Sequence, residues 1–156
     1  MISRSELSKF LSKNSNIIIR EILKNAPQHS LAHLITNSVF TGKYNCGLSC
    51  DITRKILQEK LDIECLVKRS LHMEFVGDDY TYDHCYLTIP NSDLLIDTSY
   101  RQFFDVDDLP SEPIFLGNLE ELYNLLETHN GVNTNTHLFW RQDMDITHLF
   151  KKKNIY

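Results

Sequence analysis

No stretch of this sequence approaches the roughly 18 consecutive apolar residues that a membrane-spanning helix requires, and Met1 to Glu6 lacks the basic-then-apolar order of a secretory signal. The expectation is a chain without a membrane partner, made in the cytosol; if it is exported as an effector, the route is signal-less. Basic charge is also scarce. Sixteen Lys and Arg stand against 21 Asp and Glu, for a net charge of −5. The single basic cluster, Lys151 to Lys153, reads as a solvated tail, so no nucleic-acid partner is expected. Five glycines and four prolines leave no room for a low-complexity segment, and there is no internal repeat. Cysteine is too sparse for a disulfide-stapled secreted scaffold: Cys46, Cys50, Cys65 and Cys85 are expected to be reduced thiols.

What is present fits one domain over residues 1–156, long enough to bury a core without a metal or disulfide. Residues 1–43 read as a helical N-terminal part. Ser3 and Glu6 have capping-box spacing ahead of Leu7, Phe10 and Leu11. Asn16 is placed to cap a second helix carrying Ile18, Ile19, Ile22 and Leu23 before Pro27, and Ser30 a third that ends near Gly42. His29 and His33, four apart, read as surface histidines and not as a metal pair.

Residues 44–104 are the core of the reading. Ile52, Ile56, Leu57 and Leu61 give a helix with one apolar face. Ile63 to Val67 and Leu71 to Phe75 are strand-like, and Gly77 to Asp79 is a turn. In Asp83 to Ile89, His84, Tyr86 and Thr88 alternate with Cys85, Leu87 and Ile89. Pro90 to Asp93 turns the chain into Leu94 to Asp97. Residues 105–156 supply a short strand at Ile114 to Leu116, a helix capped by Asn118, a polar stretch from Gly131 to Thr136, and an apolar tail expected to dock back through Leu138, Phe139, Trp140, Ile146, Leu149 and Phe150. The fold class is α+β: N-terminal helices and a cysteine-bearing central helix packed on an antiparallel sheet.

Three separated elements carry the chemistry. A cysteine at a helix start meets backbone N–H groups and the positive end of the helix dipole, which favour thiolate. His84 lies on one strand and Asp97 at the end of the next. A short turn between antiparallel strands can set these two side by side, and packing the sheet on the helix can bring His84 to the thiol, the arrangement of nucleophilic acyl transfer.

Residues 44–104 resemble the transglutaminase-like branch of the papain-like cysteine enzymes, which includes transglutaminases, arylamine N-acetyltransferases, protein deamidases and small cysteine peptidases. The resemblance lies in Cys46 through Ile63, in Asp83-His84-Cys85-Tyr86-Leu87-Thr88-Ile89, and in Leu94-Leu95-Ile96-Asp97-Thr98-Ser99-Tyr100-Arg101-Gln102-Phe103. It implies a papain-like fold and a Cys-His-Asp triad that hydrolyses, deamidates or transamidates a protein, a peptide or a small acyl or amide substrate, with no cofactor and no metal. Where the family usually has Pro after the aspartate, this chain has Thr98. Two cysteines compete as nucleophile. The register of Ile52, Ile56 and Leu57 favours Cys46, whereas Ser49 as N-cap would put Cys50 in the first turn; core register is given precedence. Backbone N–H groups at the helix start, with Asn45, are oxyanion candidates, and Gln102 and Arg101 are cleft candidates. Cys65 and Cys85 read as core residues. Two alternatives come from other classes: a structural zinc site on Cys46 and Cys50 with His84 or Cys85, and a non-catalytic interaction module using the acidic loop from Asp105 to Glu112 and the apolar C-terminal segment.

Overall fold

The computed structural model describes residues 2–25, 46–74, 81–104, 109–130 and 144–151. Helix α1, Arg4–Asn25, opens on the expected capping box. Ser3 Oγ accepts the Glu6 N–H at 3.1 Å, and Glu6 Oε1 accepts the Ser3 N–H at 3.4 Å. The two helices expected on either side of Asn16 are one. The segment from Ser12 to Ile17 has no Gly or Pro to break it, and its polar side chains bond back along the helix: Asn14 donates to the Phe10 carbonyl at 2.8 Å and Ser15 to that of Ser12. Leu7, Leu11, Ile18 and Ile22 therefore form one continuous buried stripe. The expected third helix, from Ser30 to Gly42, and the turn from Gly77 to Asp79 lie outside the described residues.

Helix α2, Cys46–Leu61, ends where Asp62 adopts a left-handed φ of 53°. The Asp62 N–H donates to the Gln58 carbonyl at 3.1 Å, and Gln58 Nε2 donates to the Asp62 carboxylate at 2.9 Å. This left-handed cap turns the chain sharply toward the sheet.

Five strands follow: β1 Leu66–Glu74, β2 Thr81–Thr88, β3 Leu94–Asp97, β4 Phe115–Asn118 and β5 Met144–Asp145. They pair antiparallel in the order β4-β3-β2-β1-β5. A 3₁₀ turn, Tyr100–Phe103, follows β3; helix α3, Leu119–Asn130, follows β4; and the short α4, Thr147–Lys151, follows β5. The β2–β3 turn is closed by Asn91 at φ 64° and by the Ser92 N–H donating to the Ile89 carbonyl at 3.1 Å. It sets the register Leu87↔Ile96 and Thr88↔Leu95. One further step along that register puts Asp97 level with Tyr86, on the face His84 shares two residues away.

The alternation of β2 separates two cores. Cys85, Leu87 and Ile89 pack with Val67, Ile96 and the apolar faces of α1 and α2. Tyr86 packs with Leu95, Tyr100, Phe104, and Leu122 and Leu126 of α3. The architecture is α+β, an antiparallel sheet covered by helices. Asn118 caps α3 as expected, its Oδ1 accepting the Glu121 N–H at 2.8 Å. The edge strand β5 was not foreseen, and the tail docks differently from expectation. Ile146 is buried and Phe150 packs on the core, but Leu149 is 52% exposed; Leu138, Phe139 and Trp140 lie outside the described residues. Among the described residues, no helix is long and apolar enough to cross a membrane.

Candidate active site

Cys46 opens α2, and its half-buried thiol sits against the middle of β2: the Cys85 N–H donates to Cys46 Sγ at 3.3 Å. His84 and Asp97 are fully buried. Their contact, Nε2 to Oδ2, is 2.5 Å, and the other carboxylate oxygen accepts the Ser99 N–H at 2.9 Å. Phe103, from the 3₁₀ turn, packs edge-on against the imidazole with ring centres 4.8 Å apart. Both carboxylate oxygens are thus committed, and the ring is held by a hydrogen bond at one side and an aromatic edge at another.

The electrostatics follow from these contacts. Cys46 is held well below the ordinary thiol value by hydrogen bonding from Cys85 and then from His84, against an opposing effect of burial. For His84 burial acts downward, but the charge and hydrogen bond of Asp97, with help from Cys46, outweigh it and carry the ring to about 10. The arrangement therefore favours a thiolate beside an imidazolium. Cys85 moves the opposite way from Cys46 because it is the S–H donor of the pair and is buried besides.

The alternative nucleophile Cys50 rested on Ser49 as the helix cap, and Ser49 lies inside α2, donating from Oγ to the Cys46 carbonyl at 3.0 Å. Cys50 is completely buried in the core. Burial and the nearby Cys46 charge push its thiol well up, which disfavours the thiolate. Asn45 and the Gln102 side chain lie outside the described residues. Arg101, offered as a cleft residue, is buried and donates from Nη2 to the carbonyls of Pro110 and Ser111 at 2.5 and 2.8 Å, holding that segment. A cavity of about 310 Å³ between α1 and residues 110–116, with Tyr100 and Leu125 in its wall, includes none of Cys46, His84 and Asp97. Among the described residues, no group of three or more His, Cys, Asp or Glu side chains is arranged to hold a metal ion, so the zinc alternative finds no ligand set there.

Three contributors escaped the sequence. Cys85 read as core, and it is core, but its backbone N–H also donates to Cys46 Sγ. Thr98 and Ser99 follow the aspartate. Ser99 holds Asp97, while Thr98 Oγ1 donates at 3.0 Å to Ser49 Oγ, which in turn reaches the Cys46 carbonyl. Their only sequence signal was position: small polar residues directly after a strand-terminal aspartate are common Asx-turn formers. No protein-family model, curated protein or solved structure matches this chain.

Proposed function

We propose that this protein is a cysteine-dependent acyl-transfer enzyme of the papain-like, transglutaminase-like kind, with Cys46 as nucleophile, His84 as base and acid, and Asp97 as the group that orients the imidazole. The observation that carries this reading is that Cys46, at the start of α2, lies against β2 at Cys85, the neighbour of His84, while the His84 ring contacts the Asp97 carboxylate; the shifts of Cys46 and His84 couple the thiol to the ring. Burial alone would keep a cysteine and a histidine neutral; here their partners favour the charged forms of both.

The chemistry follows from the geometry. Asp97 engages Nε2 of His84, which leaves Nδ1 as the ring nitrogen that serves the thiol. The Cys46 thiolate attacks the carbonyl carbon of an amide, ester or thioester, and charge moves to the carbonyl oxygen. N–H groups at the start of α2 are the nearest source of oxyanion stabilisation. His84 then gives its proton to the departing group, leaving an acyl group on Cys46, and takes a proton from the incoming acceptor in the second half. With water as acceptor the outcome is hydrolysis or glutamine deamidation; with an amine it is transamidation. Asp97, with its second oxygen held by Ser99, stabilises the imidazolium in both halves without itself exchanging the proton.

Acyl-enzyme formation tests this directly. Brief exposure to p-nitrophenyl acetate, followed by intact-mass and peptide analysis, should place an acetyl group on Cys46, none there in Cys46→Ser, and slow acylation roughly 100-fold in His84→Ala. Acylation spread evenly over the four cysteines, or unchanged in rate without His84, would remove the basis for the proposal.

A further inference from the structure

We propose that Cys85 is a resolving thiol for Cys46, so that peroxide converts the pair into a reversible Cys46–Cys85 disulfide that switches the site off. This goes beyond the acyl-transfer reading: it uses the activated Cys46 of that reading but none of its acyl chemistry.

Placement is the first support. The Cys46 sulfur lies 3.3 Å from the Cys85 backbone nitrogen, and Cys46 packs against the core cluster that contains Cys85, so the two cysteines are neighbours where α2 meets β2. Both are free thiols. Accessibility is the second support. Of the three cysteines at this end of α2, Cys46 is the most exposed residue, Cys85 being 6% exposed and Cys50 fully buried. Thiolate character directs the oxidant to the same atom. Cys85 stays protonated while Cys46 carries charge beside it, and that constraint ends once Cys46 has become a neutral sulfenic acid.

The steps balance. The Cys46 thiolate attacks one oxygen of hydrogen peroxide, the O–O bond breaks, and hydroxide departs to take up a proton as water, leaving Cys46 as the sulfenic acid. Cys85 sulfur then forms the S–S bond as the Cys46 S–O bond breaks, and the second hydroxide leaves with the Cys85 proton as water. Two thiols are oxidised and one peroxide is reduced to two waters. The disulfide occupies the electron pair that would attack a carbonyl and removes the sulfur from His84. A thiol reductant returns both cysteines.

The test is peptide mapping, under non-reducing conditions, of the intact chain treated with hydrogen peroxide. Wild type should lose two free thiols, yield a linked Cys46–Cys85 peptide, and regain both thiols with dithiothreitol. Cys50→Ser should behave as wild type. Cys85→Ala and Cys85→Ser should instead carry sulfinic and sulfonic acid on Cys46, not recovered by dithiothreitol. A Cys46–Cys50 link, or over-oxidised Cys46 in wild type with no linked peptide, overturns the proposal, and both readings come from wild type, whatever the folding of the variants. Disulfide formation without acylation by the activated ester would remove the acyl-transfer reading and leave this one; acylation without the disulfide would do the reverse.

Discussion

His84 and Cys46 move in opposite directions from their ordinary values, and together they set how stability should respond to pH. For His84 the folded value, about 10, lies above its ordinary 6.5, so its contribution is complete below 6.5 and is lost as pH rises toward 10. Cys46 is depressed below its ordinary 9.0, so its contribution is complete above 9.0 and is lost as pH falls through its folded value. Between 6.5 and 9.0, at any pH above the folded value of Cys46, the folded state holds one extra proton on His84 and lacks one on Cys46, and the two effects cancel. Above 9.0 the cancellation ends, and the raised thiols of Cys50, Cys65 and Cys85 add to the decline. Wild type should therefore hold its unfolding free energy level up to about pH 9.0 and lose it above that pH. Cys46→Ser removes the compensating proton, so its stability should decline from pH 6.5 upward. Urea titrations across that range decide the matter, and a plateau that survives in Cys46→Ser would contradict the pairing.

At the scale of elements, α2 and the end of β3 are joined by two buried hydroxyls. Thr98 Oγ1 donates to Ser49 Oγ, and Ser49 Oγ donates to the Cys46 carbonyl. Because the two hydroxyls act in series, Thr98→Val and Ser49→Ala should each cost about 1 to 2 kcal/mol, and the double variant little more than either alone. A double-mutant cycle by urea denaturation reads the coupling; fully additive losses would mean that the series is not a structural unit. Such links were not legible in the sequence, because they depend on which residues of distant elements face each other. The capping box at Ser3 and the cap at Asn118 were legible because their partners lie three residues away. The break expected at Asn16 failed because a cap residue without a breaker can bond back along a helix. Strand β5 was missed because two residues, Met144 and Asp145, carry no periodicity. It is held by Asp145 and Thr147, whose Oγ1 accepts the Val67 N–H at 2.8 Å.

Across the whole molecule, the sheet separates two apolar clusters, and Cys46, His84 and Asp97 sit where α2, β2 and β3 converge. Stability should therefore be sensitive to the core and insensitive to the surface. Leu87 is fully buried under α1 and α2, and Leu87→Ala should cost about 3 kcal/mol through lost burial and an unfilled cavity. Arg4 and Glu121 pair at 2.6 Å, but their side chains are 49% and 41% exposed, so Arg4→Ala should change the unfolding free energy by less than about 0.5 kcal/mol. Chemical denaturation of the two variants tests the contrast, which comparable losses would contradict. The α+β class was readable from periodicity, since helix-period segments come first and a run of strand-period segments follows them. The order of Cys46, His84 and Asp97 was readable too. Between Cys46 and Cys50, one helical turn apart, core register favoured Cys46 while the capping argument pointed to Cys50. Packing distinguishes them, since one sulfur lies against the β2 backbone and the other is enclosed in the core.

The central claim is that Cys46 and His84 form a thiolate–imidazolium pair, and the most direct measurement is the rate of Cys46 alkylation by iodoacetamide as a function of pH, by peptide mass spectrometry. At about pH 6 a thiol with the ordinary value of 9.0 is almost wholly protonated and reacts slowly. The expected result is rapid alkylation of Cys46 alone at that pH, slowed about tenfold or more in His84→Ala, with the pH midpoint of the variant moved upward toward the ordinary thiol range. Slow alkylation of Cys46 at pH 6, with a midpoint near 9.0 in both wild type and His84→Ala, would contradict it.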